Sequence, residues 1–67
     1  MTGGFTMREL ARESALEVGM RVRIYPRLVQ RGRLSEAEAD RKIRMMEAIA
    51  QLLADQAEAE EVRQRLL

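Results

Sequence analysis

Apolar residues recur along this chain at steps of three and four, in two stretches separated by a short polar turn. After Ser35 they stand at Ala39, Ile43, Met46, Ala50, Leu53 and Ala57, an alternation that keeps them on one face of a helix. Met45, Ile49 and Leu52 widen that stripe to one side. Before Gly32 a matching stripe runs through Met7, Ala11, Ser14, Val18, Val22, Tyr25 and Val29, flanked by Leu10 and Leu28. The pattern predicts one helix over residues 6–30 and a second over 36–60. Beyond Ala57 the repeat positions hold Glu60 and Gln64, so residues 61–67 are expected to form a helical tail that frays or projects past the core.

Between the stripes, Gly32 suits the left-handed position that ends a helix. Ser35 suits the N-cap of the next, and Glu38 three residues on completes a capping box. Glu36, Glu38 and Asp40 put negative charge in the first turns, where the helix dipole favours it. A back-to-back stop and start between helices of matched length predicts an all-α antiparallel two-helix hairpin. Pro26 lies inside the first helix. It lacks the N–H that would bond the Val22 carbonyl, and its ring clashes with the preceding turn. A kink near Val22 to Pro26 is therefore predicted, with a break at Tyr25 as the alternative. Residues 1–5, which include Gly3 and Gly4, are expected to be a flexible lead-in.

Length changes how this hairpin must be viewed. At 67 residues the chain sits at the edge of what one hydrophobic core stabilises. With no Cys there is no disulfide, and with neither His nor Cys structural zinc has no suitable ligands, so no metal is expected. A lone hairpin also cannot cover Leu16, Met20 and Ile24 on one helix together with Met45, Ile49 and Leu52 on the other. Two hairpins packed as four helices would cover them, so a homodimer is expected, with Ile24, Met45, Ile49 and Leu52 in its interface.

Reactive chemistry is nearly absent from the side chains. Nucleophilic and acid–base catalysis draw mainly on Cys, His or an activated Ser, and here Ser35 is explained as a cap and Ser14 as a small packing residue. No glycine-rich phosphate loop occurs. The chain is accordingly expected not to be an enzyme and to need no cofactor. Gly19 has two explanations, close approach of another helix or a tolerated surface glycine. The apolar run from Met45 to Ala54 is interrupted by Glu47 and Gln51, short of the ~20 apolar residues a spanning helix needs. Residues 1–5 show neither a basic start nor an apolar run. No membrane association is expected, and the cytoplasm is the expected compartment.

Charge points to a partner. Arg21, Arg23, Arg27, Arg31 and Arg33 follow one another with no acid among them, although the formal net charge is only +1. On a helical wheel Arg12, Arg23, Arg27 and Arg31 point away from the apolar stripe, with Leu16 and Met20 between them. Arginines framing exposed apolar residues suit a protein-binding surface. Nucleic acid is the competing partner, but the start of the second helix, Ser35-Glu36-Ala37-Glu38-Ala39-Asp40, would be repelled by phosphates if it entered a groove.

The stretch Arg23-Ile24-Tyr25-Pro26-Arg27-Leu28-Val29-Gln30-Arg31-Gly32-Arg33-Leu34-Ser35, with Ala37-Glu38-Ala39-Asp40, Ile43 and Met46-Glu47-Ala48-Ile49, resembles a group of short helical proteins of proteobacterial bacteriophages and prophages. The resemblance covers Ala11 to Leu53. It implies no catalytic residues, because the group carries no established activity; it implies a protein that binds and inhibits or modulates a host protein in the host cytoplasm, or an accessory regulator that binds DNA or RNA. The Gly-x-Leu-Ser-x-x-Glu turn is also similar to a short C-terminal helical hairpin found on many bacterial proteins.

Overall fold

A computed structural model describes residues 2–67. Two helices, α1 (Met7–Gln30) and α2 (Glu36–Leu66), pack against each other as an antiparallel hairpin. Both begin in the same way. The Ser35 side chain accepts from the Glu38 backbone N–H at 3.0 Å, while the Ser35 N–H donates to the Glu38 carboxylate at 3.1 Å, the reciprocal box expected from sequence. Thr6 and Glu9 form an equivalent box at the start of α1. In the turn, Gly32 adopts φ +72°. Its N–H donates to the Val29 carbonyl, and the Arg33 N–H donates to the Leu28 carbonyl. This pair of bonds is a Schellman ending, which requires the left-handed residue that glycine supplies without strain.

Three expectations change. Residues 2–5 are a closed turn in place of a flexible lead-in, with mutual backbone bonds between Thr2 and Phe5. Gly3 and Gly4 have φ +60° and +84°, the signs that a type I′ turn demands. Met1 of that lead-in lies outside the described residues. Helix α1 continues unbroken through Pro26, so no helix end falls at Tyr25. Pro26 and Val22 are exposed, where the carbonyl left without a donor is accessible to water. Finally, α2 runs on to Leu66 and takes in the helical tail expected beyond residue 60, but Glu60 and Glu61 are half-buried against the start of α1 instead of projecting past the core.

The seam between the helices is narrow and built from small residues. Ala57 is 1% exposed, and Ala11, Ala39 and Ser14 are also buried, whereas among the described residues no large side chain is fully buried. Ser14 is tolerated there because its hydroxyl donates to the Leu10 carbonyl at 2.9 Å. On α2 the seam follows the stripe read from sequence. On α1 one position differs: Val22 is 51% exposed and Arg21 takes the inward place. A helix held along a partner keeps a seven-residue repeat facing it. Ala11, Ser14, Val18, Arg21, Tyr25 and Leu28 satisfy that repeat, and Val22 falls beside it. Arg21 can occupy a half-buried position because its guanidinium is held by two hydrogen bonds and a ring contact while the rest of it stays accessible to water. It bonds Glu17 at 3.1 Å and the Lys42 carbonyl at 3.1 Å, and it lies over the Tyr25 ring.

Candidate protein-binding faces

Every residue singled out for binding lies on the surface. Arg12, Leu16, Met20, Arg23, Arg27 and Arg31 are all exposed on the outer side of α1, Leu16 to 65%. Ile24, Met45, Ile49 and Leu52 are exposed as well, Leu52 to 60%. A turn of helix every 3.6 residues puts Leu16, Met20 and Ile24 on one outer strip of α1. The same spacing puts Met45, Ile49 and Leu52 on an outer strip of α2. Arg21 bonds the Lys42 carbonyl and Arg8 pairs with Glu61, and at about 100° per residue Arg21 and Lys42 lie on the flank of the seam toward Ile24 and Ile49, Arg8 and Glu61 on the opposite flank. The two apolar strips therefore share one side of the hairpin.

The arginines differ in what they meet. Arg8 clasps Glu61 through two bonds, Nε to Oε2 at 3.0 Å and Nη2 to Oε1 at 2.8 Å, and Arg44 pairs with Asp40. Among the described residues, Arg12, Arg23, Arg27 and Arg31 form no ion pair. Their charge faces solvent beside apolar side chains, an arrangement suited to a partner that offers both carboxylates and an apolar ridge.

Three carboxylates titrate below their ordinary range, each for a structural reason. Glu61 is held ionised chiefly by its hydrogen bonds from Arg8, and Arg8 is correspondingly raised by the same contact. Glu9 and Glu38 are lowered by the backbone N–H groups of Thr6 and Ser35 that they cap. These are folding contacts at helix starts and at the open end of the hairpin.

Phe5 was assigned by sequence to the lead-in, yet it is exposed beside Leu10 and Leu16 and extends the α1 strip toward the open end. The paired glycines that suggested flexibility are what turn it back onto the helix. Gly19 has open space around it, so within the hairpin it is a surface glycine and not a point of close helix approach. Among the described residues, no cluster of His, Cys, Asp or Glu is placed to hold a metal, and no helix is long and apolar enough to cross a membrane. No protein-family model matches the chain, and no curated protein or solved structure matches it either.

Proposed function

We propose that this chain works without chemistry of its own, by pairing with a second copy and by binding a protein partner stoichiometrically. The observation that carries this is surplus surface. A compact monomer of 7.7 kDa exposes about 4,300 Å², whereas this hairpin exposes 5489 Å². The radius of gyration is 15.2 Å against about 11 Å for a compact chain of this length. The excess, about 1,200 Å², exceeds the ~800 Å² that each partner contributes to an ordinary stable interface.

In this proposal Ile24, Met45, Ile49 and Leu52 lie in the dimer interface, giving a four-helix arrangement. Arg12, Leu16, Met20, Arg23, Arg27 and Arg31 form the surface offered to a foreign protein. A bend of α1 around Val22 to Pro26 belongs to the same proposal, since proline disturbs the turn that precedes it. The resemblance to bacteriophage proteins suggests a host protein in the cytoplasm that is inhibited or modulated. A second reading, arginine-mediated binding of DNA or RNA, draws on the absence of carboxylate partners for Arg12, Arg23, Arg27 and Arg31.

The two readings respond oppositely to salt and to apolar substitution. Capture from host lysate is compared with binding to random duplex over a salt series. A protein captured by the wild type and lost with Leu16→Ser or Met20→Ser supports protein binding. Duplex binding that falls steeply with salt and ignores both substitutions, with no protein captured, replaces it with the nucleic-acid reading.

A further inference from the structure

The outer face of α1 carries a pattern that is symmetric about Met20. The residues along this strip are Glu9, Glu13, Leu16, Met20, Ile24, Arg27 and Arg31. Their spacing runs four, three, four, then four, three, four, so the strip reads with the same intervals in either direction from Met20. Chemically it inverts. Leu16 and Ile24 stand four residues on either side of the centre. Glu13 and Arg27 stand seven away, and Glu9 and Arg31 eleven away. All seven are exposed, and helical spacing keeps them on one face.

From this we infer that a second copy of the chain covers the outer face of α1 in antiparallel orientation, about a two-fold axis at Met20. Under that rotation Met20 meets its own symmetry mate and Leu16 meets Ile24 of the copy. Glu13 comes level with Arg27, and Glu9 with Arg31, and each of these pairings occurs twice. The inference rests on the self-association proposed above and gives it a geometry.

Charge decides between the ways two hairpins can stack. An antiparallel pair of α1 helices sets acid against base at both ends of an apolar centre. A parallel pair sets Arg27 and Arg31 against themselves. Stacking with both turns at the same end places α1 on α2 of the copy, and Arg8 reaching Glu61 shows which levels then coincide. Glu9 would then come level with Glu60 and Arg27 with Lys42, leaving Arg31 with Glu38 as the matched pair. Like charges brought together at an interface oppose association. Among the described residues Arg27 and Arg31 have no carboxylate partner, so both remain available to the copy.

Two further features fit this axis. Ala15 and Val18 share a groove with Ala50 and Gln51, so the α2 strip of Met45, Ile49 and Leu52 lies at the level of Leu16 to Ile24. Because both strips occupy the same side of the hairpin, one two-fold axis brings the α2 strips alongside each other as well. A foreign protein that uses Leu16, Met20, Arg27 and Arg31 then competes with the second copy for the same residues, so it binds the chain released from the dimer.

The chain has no Cys, so Arg33→Cys carries a single spin label in the exposed turn. Arg33 lies thirteen residues beyond Met20. At 1.5 Å per residue an antiparallel dimer separates the two labels by about 40 Å. Turns at the same end bring them within about 25 Å, given a hairpin 19 × 16 Å in cross-section. Double electron–electron resonance is expected to show the longer distance. A dimer with the short distance overturns the inferred geometry and leaves self-association standing; a monomer overturns both.

A charge swap tests the pairing itself. Glu13→Arg and Arg27→Glu are each expected to weaken dimerisation about five-fold, and the double variant to restore it, because acid and base exchange places across the axis. Failure of the double variant to recover, while its helix content matches the wild type, overturns the proposed contact between Glu13 and Arg27 of the copy.

Discussion

Replacing Pro26 by alanine should stabilise the hairpin. Proline in a helix interior is about 3 kcal/mol less favourable than alanine, through the lost N–H and the clash with the preceding turn. Helix α1 nevertheless runs through it to Gln30, so that cost is carried by contacts beyond it, where Leu28 and Val29 are half-buried in the hairpin. Alanine also frees the unfolded chain, which returns about 0.4–1 kcal/mol of the gain. The net expectation is about 2 kcal/mol of added stability. With a urea slope of about 1 kcal/mol per molar for so small a domain, the midpoint rises by about 2 M. The assay is urea unfolding followed by circular dichroism at one fixed protein concentration, because dimerisation makes the midpoint depend on concentration. An unchanged or lower midpoint refutes the reasoning and means that the Pro26 ring, beside Tyr25, Ala39 and Ile43 at the turn end, contributes packing that alanine cannot replace.

Gly19 has open space where a Cβ would stand, so Gly19→Ala should add about 0.5–1 kcal/mol in the same assay by helix propensity alone; a loss would mean that another chain approaches there. Met46→Asp puts an unpaired charge on the seam and should abolish the cooperative transition, since a domain of this size has only about 3–5 kcal/mol to lose; a folded variant would contradict the seam. Acid should destabilise the fold. Glu9, Glu38 and Glu61 titrate below the ordinary value of 4.5 when folded, so their stabilisation is complete above that value and is lost as pH falls through the lower folded pKa values. Melting temperature should hold from pH 7 to about 5 and drop below about 4; a rise on acidification would contradict this.

The turn was fully legible, because Gly32, Ser35 and Glu38 each act through local backbone bonds that need no knowledge of the rest of the chain. Thr6 and Glu9 form the same box at the same spacing, and the neighbouring glycine pair concealed it by suggesting disorder where two positive φ angles close a turn. Val22 was placed in the seam because valine is apolar. The seven-residue repeat imposed by a packed neighbour favours Arg21, and arginine reads as a surface residue until its partners Glu17, Tyr25 and the Lys42 carbonyl are brought together. Arg8 and Glu61 lie 53 residues apart, so no local pattern links them, and the contact explains why α2 outlasts its apolar stripe. The candidate faces were legible as solvent-facing strips on a helical wheel. Their common side of the hairpin was not, because it depends on how the two helices are rotated against each other.

A hairpin that is incomplete alone must pair in solution, and sedimentation equilibrium of the full chain at micromolar concentration reads this out. The expected result is a species of twice the 7.7 kDa chain mass, shifted toward monomer by Met20→Asp with helix content retained. A single 7.7 kDa species across the concentration range, folded and unaffected by that substitution, would contradict it.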